Sequence, residues 1–413
     1  MSTQHAAPTA VTHQPVRAAT AAFIGTAVEF YDYYTYATAA ALVLGEVFFP
    51  SSNHFLSTMA SFATFFVGFI ARPLSGAVFG HLGDRIGRKK MLLVTMFLMG
   101  IATTGIGLLP GYATIGIWAP VLLVLLRILQ GIAVGGEWGG AVLMASEHAP
   151  KAKRIFFASF PQMGSPAGLI LSLLSFRLVS SLDHESFVTW GWRLPFVFGL
   201  LVGPVGFYIR RHLDETPEFL AEQKKTTVDP QATFQSQWIN LLLAVGVVAQ
   251  STVSVYVLQL YMPTYAVKQL HLPAAQSFAV VVLNGGLQFL LSPVMGALSD
   301  RIGRIRIMLT TSVLMILLIY PMFALLRAYP TTGALLALQA VSGIFKAAYS
   351  GPMPALMSEI FPTRVRSTGL SLGYYPRDSF VCGVDLSEDM LKRARGKVRR
   401  KGLTHVKGLQ VMD

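Results

Sequence analysis

Long apolar runs separated by short polar loops make up most of the chain. Ten runs are long enough to cross a bilayer, at about 18–46, 56–80, 91–110, 118–146, 155–180, 190–210, 237–265, 275–298, 307–327 and 333–358. Crossing a ~30 Å hydrocarbon core takes about 20 apolar residues at about 1.5 Å of rise each. An eleventh run starts near Ser367 and stops after about nine residues, roughly 14 Å of helix, which does not reach across. The pattern predicts an all-α polytopic membrane protein with about ten complete transmembrane helices and a truncated eleventh.

Composition closes off the alternatives. Hydrophobic residues make up 53% of the 413 positions and charged residues 13%, with a mean hydropathy of +0.54. Soluble domains carry about 25% charge, so a soluble globule is excluded, and so is a disordered chain. The single cysteine, Cys382, rules out a disulfide framework and a cysteine zinc site. The stretch 1–17 is polar and lacks the apolar core of a signal peptide.

The net charge of +13 is an orientation signal. Lys and Arg concentrate in alternate loops: Arg85 to Lys90, Lys151 to Arg154, Arg210 to Lys225, Arg301 to Arg306, and Arg364 with Arg366. The opposite loops hold little beyond Lys268 and Arg327. The positive-inside rule puts the basic loops, and hence the N-terminus, in the cytoplasm of a cell membrane.

An internal repeat divides the chain. Gly80-His-Leu-Gly-Asp84-Arg85-Ile-Gly87-Arg88 returns as Gly296-Ala-Leu-Ser-Asp300-Arg301-Ile-Gly303-Arg304, an offset of 216. Ser146, Glu147, Pro150 and Arg154 return as Ser358, Glu359, Pro362 and Arg366, an offset of 212. Two motifs at nearly one spacing imply a parallel duplication. The expected parts are a polar N-terminus (1–17), a six-helix bundle (18–211), a polar connector (212–236), an incomplete second bundle (237–374) and a foreign tail (375–413).

The repeated Gly-x-x-x-Asp-Arg-x-Gly-Arg loop resembles the signature of the major facilitator superfamily. Val28-Glu-Phe-Tyr-Asp-Tyr33, Ala71-Arg-Pro73, Arg127-Ile-Leu-Gln-Gly131, Gly135-Gly-Glu137, Trp190 to Phe196 and Glu215-Thr-Pro-Glu-Phe219 together resemble its metabolite:H+ symporter branch over about residues 18–374. That branch carries shikimate, dicarboxylates and betaines. The resemblance implies a secondary transporter driven by the proton gradient, moving small organic acids or zwitterions by alternating access; a monomer is the expected state, with oligomerisation left open. It implies no cofactor, no metal, no nucleic-acid partner and no enzymatic activity. It also places spans 1, 4, 7 and 10 around a central cavity.

Charges at bilayer depth are costly and are functional candidates by default. Glu29 and Asp32 stand i,i+3 on span 1. In a poorly solvated cavity two adjacent carboxylates do not both ionise, and one holds a proton. Proton coupling is the expected role, against the alternative of a structural hydrogen bond. Arg127 and Lys346, at mid-depth, are expected to hold a substrate carboxylate, for which the Arg fork is well shaped. Tyr33, Tyr36, Gln250 and Tyr256 are expected to donate hydrogen bonds beside them, with Tyr261, Asn284 and Gln288 as further donors. Glu137 and the loop residues Gly80, Asp84, Arg85, Gly87, Arg88, Asp300, Arg301, Gly303 and Arg304 are expected to serve gating and structure, and so is Arg72, for which holding a substrate carboxylate is the open alternative. Asp84 suits the N-terminal dipole of span 3 and a charge lock between the halves. In span 5, the small residues of Gly164-Ser-Pro-Ala-Gly168 favour close helix contact, and Pro166 favours a kink.

Beyond Tyr374 the character changes. Val381 to Arg395 resembles the second strand and following helix of a class I S-adenosylmethionine-dependent methyltransferase, with Asp385 matching its ribose-binding acid. No glycine-rich turn precedes it, so no cofactor site is expected there. Lacking complete spans 11 and 12, this chain is expected to be unstable or inactive as a carrier. The competing functions are a membrane-tethered methyltransferase fragment and a non-transporting receptor.

Overall fold

The computed structural model describes residues 14–51, 53–223 and 237–375, and every regular element among them is helical. The methyltransferase-like segment with Asp385, most of the N-terminal 17 residues and the connector beyond Gln223 lie outside the described residues.

The first six spans are α1 (Pro15–Leu42), α2 (His54–Ile86), α3 (Arg88–Leu108), α4 (Trp118–Val134 continued by Glu137–Glu147), α5 (Arg154–Ala158 continued by Phe160–Val179) and α6 (Arg193–Arg211). A short connector helix, Pro217–Gln223, follows. Next come α7 (Trp238–Ser254, a π-helical stretch Val255–Tyr261, then Met262–Lys268), α8 (Ala274–Ile302), α9 (Arg304–Ala328), α10 (Thr332–Ser350 with Met353–Ile360) and α11 (Arg366–Tyr374). The ten expected spans and the short eleventh are all helical.

Local chemistry sets several ends. Pro15 stands in the first turn of α1, where its missing N–H costs nothing. Asn53 caps α2 by accepting the Phe55 N–H at 3.0 Å, and Thr331 caps α10 through the Ala334 N–H at 3.2 Å. The α2–α3 and α8–α9 turns each rest on one glycine, Gly87 at φ 107° and Gly303 at φ 99°. Only glycine adopts that backbone without strain, so the repeat preserves a turn and not merely a charge string.

The outer surface is apolar. Leu309, Val313, Leu317 and Tyr320 of α9 and Leu74 and Val78 of α2 are exposed, as helices facing acyl chains require. Inside, α1 lies close against α5. A Cβ on Gly164 would sit 2.7 Å from the Ala27 nitrogen, and one on Gly168 2.5 Å from that of Tyr31. The glycines of the Gly164 to Gly168 segment are therefore the contact surface for α1. The short α11 docks across the halves. Its Tyr374 stacks on Trp138 with centroids 3.7 Å apart, and Tyr375 donates to the Val134 carbonyl at 2.5 Å while accepting the Trp138 N–H at 3.2 Å. Arg85, Lys89, Lys90 and Arg301 make one end of the molecule basic.

Candidate functional site

A cavity of about 1250 Å³, including its open mouth, lies between the two sets of helices. Its wall from the first half carries Tyr33, Phe69 and Arg72. The facing wall carries Ser251, Tyr256, Gln259, Asn284, Gln288 and Lys346. No carboxylate is among the described residues lining it.

The second-half wall is a connected amide network. Asn284 Oδ1 accepts from Gln259 Nε2 at 2.6 Å and from Gln288 Nε2 at 2.7 Å. Asn284 Nδ2 donates to Gln339 Oε1 at 3.0 Å and to Ser342 Oγ at 2.7 Å. Gln339 Nε2 in turn donates to the Leu258 carbonyl at 2.5 Å, serving a backbone group of the π-helical stretch of α7. Lys346 Nζ donates to the Ser251 carbonyl at 2.9 Å and to Ser251 Oγ at 2.6 Å, which fixes its ammonium at the cavity edge.

Behind the first-half wall is a second, buried polar group. Asp32 is 3% exposed and faces α3 and α4. Its Oδ1 accepts from Thr103 Oγ1 at 2.7 Å, and its Oδ2 accepts from Gln130 Nε2. Gln130 Oε1 accepts from Arg127 Nη1. The Arg127 guanidinium lies 3.8 Å from the centre of the Tyr36 ring and 5.1 Å from that of Phe65. Arg72 connects the two regions: it lines the cavity and its charge acts on Asp32. Its guanidinium lies over the rings of Phe69 and Tyr33, at 4.6 and 5.5 Å.

These placements change several assignments. Arg127 and Tyr36, expected at the cavity, are buried in the Asp32 group, and the Tyr36 hydroxyl meets Thr64 Oγ1. Gln250 does not line the cavity, because the inward face of α7 runs through Ser251, Thr252, Val255, Tyr256 and Gln259. Tyr261 is exposed beside Phe323 on the outer surface. Arg72, for which a structural and a substrate-binding place were both open, lines the cavity. Asp32 turns to α3 and α4, where Thr103 and Gln130 hold it, and Glu29 is buried one turn earlier on α1. Tyr33, Tyr256, Lys346, Asn284 and Gln288 do line the cavity.

The basic end is closed by contacts that cross between the halves. Asp84, at the end of α2, accepts the Ser367 and Thr368 N–H groups at 3.1 and 2.9 Å and the Thr368 hydroxyl at 2.8 Å. It therefore caps α11 rather than α3. Asp300, at the end of α8, accepts the Ile155 and Phe156 N–H groups at 3.0 and 2.9 Å. The N-terminus of α3 is served instead by Glu215, which accepts from the Arg88 N–H at 3.0 Å and the Lys89 N–H at 3.1 Å. Gly80 and Gly83 let α2 approach α11, since a Cβ on Gly80 would lie 2.7 Å from the Thr368 Cα.

Ion pairs extend this closure. Glu218 of the connector helix holds both Arg154 and Arg366, and Glu222 holds Arg364. Arg366 also meets Glu147 at 3.0 Å, Arg88 approaches Glu147 at 3.8 Å, and Arg304 pairs Glu359. Arg85 and Arg301, expected in the gate, are exposed. Glu137 pairs with the buried Arg210 and accepts from Thr95 Oγ1 at 2.9 Å. The residues that sequence reading missed, among them Thr103, Gln130, Gln259, Ser251 and Arg210, are uncharged or sit at span ends. The one available signal was the i,i+3 spacing of Gln130 after Arg127.

A multi-pass helical bundle with a polar central cavity and reciprocal closing contacts at one end is the architecture of a membrane carrier. The family model of the Major Facilitator Superfamily matches residues 22–372, and the chain belongs to that superfamily. It is 41% identical over 375 residues to the inner membrane metabolite transport protein YhjE of Escherichia coli strain K12, covering 86% of this chain and 82% of that protein. It is 35% identical to the citrate-proton symporter of Klebsiella pneumoniae, over 85% of this chain and 79% of that one. The solved structure of the proton:xylose symporter XylE bound to 6-bromo-6-deoxy-D-glucose superposes with a TM-score of 0.71 at 17% identity, over 93% of this chain and 90% of that chain, which shows the shared fold. The chain is a transporter and not an enzyme.

Proposed function

We propose that this chain, against the expectation of an inactive carrier, transports a small organic acid together with a proton, opening its cavity alternately to the two sides of the membrane. The short α11 still docks on α4 through Tyr374 and Tyr375. The observation that carries this reading is the position of Arg72. It lines the cavity, and its guanidinium lies over the ring of Tyr33, the residue that follows Asp32 on α1. A substrate carboxylate and ionised Asp32 therefore compete for one guanidinium field. Protonating Asp32 frees that field for the substrate, and a bound anion raises the affinity of Asp32 for a proton. Such reciprocity is what coupling requires.

In this reading Lys346 and Arg72 hold the substrate carboxylate from opposite walls. Tyr33, Tyr256, Gln259, Asn284 and Gln288 meet its hydroxyl or carbonyl groups. The Tyr33 and Phe69 rings already carry a guanidinium, which favours an acid over a zwitterion whose ammonium group would need an aromatic face. The relative that carries citrate with a proton supports the same class.

The moving units are the bundles 18–211 and 237–374, joined by the connector 212–236. The basic end faces the cytoplasm, with the N-terminus on that side. In the state seen here that end is shut by Asp84, Asp300 and Glu218. The test is uptake into proteoliposomes of a panel of labelled carboxylates under an imposed pH gradient. Uptake of at least one acid should rise when the outside is acidified and collapse with a protonophore. Uptake indifferent to the gradient would contradict the reading.

A further inference from the structure

Thr103 has one hydroxyl hydrogen and two acceptors placed to receive it. Its Oγ1 lies 2.7 Å from Asp32 Oδ1 and 2.9 Å from the Met99 carbonyl oxygen. The same oxygen accepts from Gln130 Nε2 at 3.0 Å. One hydrogen serves only one of the two acceptors at a time. The orientation of Gln130 is fixed independently. Arg127 has donors only, so the Gln130 carbonyl oxygen must face Arg127 and its NH2 must face Asp32.

We propose that Thr103 is the positioning residue for the coupling proton, which Asp32 takes up on Oδ1. This deepens the proton-site reading of Asp32 and rests on it. When Asp32 is ionised, Thr103 donates to Oδ1. When the proton arrives, one O–H bond forms at Oδ1, and that O–H donates to Thr103 Oγ1. The Thr103 hydrogen swings to the Met99 carbonyl, and no other bond forms or breaks. Oδ2 is unsuited to the proton, because Gln130 Nε2 faces it with a donor. Both protonation states are then fully hydrogen-bonded without displacing Arg127. The charges acting on Asp32 are Arg127 from α4 and Arg72 from α2. Tyr31 on α1 lies within its field, with its hydroxyl held by the Pro195 carbonyl of α6 at 2.6 Å. On α5, Ser172 meets Thr35 at 3.2 Å.

Removing the hydroxyl takes a charge-assisted bond from the ionised state and a weaker neutral one from the protonated state. The pH profile should therefore move toward alkaline values. The experiment measures the pH dependence of gradient-driven carboxylate uptake for wild type, Thr103→Val, Thr103→Ser and Asp32→Asn in proteoliposomes. Thr103→Val should shift the midpoint up by about one pH unit, and Thr103→Ser should restore the wild-type midpoint. A Thr103→Val profile that overlays wild type, or a Thr103→Ser profile shifted equally, would overturn the role of Thr103 while Asp32→Asn still abolishes coupling. Retained coupling in Asp32→Asn would instead remove the reading beneath it.

Discussion

Asp84 and Asp300 stand 216 positions apart, and each caps the first turn of a helix in the other half of the molecule. Asp84 reaches Ser367 and Thr368, and Asp300 reaches Ile155 and Phe156. The recipient pairs are themselves related by the second repeat offset of 212. Both are carboxylates at helix N-termini, where backbone donors and the dipole favour negative charge. In the proposed transport cycle both contacts break when the basic end opens.

Removing one cap should bias the carrier toward opening at that end. A capping carboxylate contributes about 1–2 kcal/mol, or about tenfold in the closed-to-open ratio. In a Cys382→Ser background, Ser371→Cys places a thiol at the buried α4–α11 contact. Adding Asp84→Ala should raise its labelling rate by a membrane-impermeant reagent about tenfold. Unchanged labelling would mean that the cap does not hold the gate.

Glu218 gives the closure a pH dependence with a definite sign. Burial alone would raise its carboxyl, but the guanidiniums of Arg366 and Arg154 outweigh burial and hold it below the usual glutamate range. Its stabilising contribution is therefore present above the unfolded value, near about 4.3, and is lost as pH falls through the lower folded value. The melting temperatures of wild type and Glu218→Gln should differ by a constant amount between about pH 8 and pH 5, and converge below about pH 4. A gap that closes between pH 8 and 6 would implicate another group.

Lys346 offers the clearest substrate test. Its ammonium is fixed on Ser251 at the cavity edge, and hydrogen bonds to charged groups contribute about 1.5–3 kcal/mol. Lys346→Gln should weaken apparent affinity for the carboxylate by about 10- to 100-fold. Affinity for an uncharged analogue such as the matching amide, read by competition, should change less than threefold or so. Equal losses for both would mean that Lys346 shapes the cavity rather than reading charge.

The helices, and the paired turns at Gly87 and Gly303, were legible because each leaves a mark along the chain: apolar length, a duplicated string, a glycine at each turn. The cavity was only partly legible. Lys346 and Tyr256 were found because the facing spans were right, whereas Arg127 and Gln250 were misplaced because the rotation of a helix about its axis leaves little trace in an all-apolar span. Asp32 drew attention as a charge, but its real partners are Thr103 and Gln130, neutral residues 71 and 98 positions away. Asp84 was expected to serve the next helix in sequence, yet the helix it caps begins nearly 300 residues on, and only the folded chain brings the two together.

The central claim is that Asp32 carries the proton that drives uptake. The most direct measurement compares gradient-driven uptake with substrate exchange at equal pH, for wild type and Asp32→Asn in the same proteoliposomes. Asn keeps the shape and loses the titration. The account predicts that the variant loses stimulation by the pH gradient while retaining exchange and substrate binding. Full gradient-driven accumulation by Asp32→Asn would contradict it.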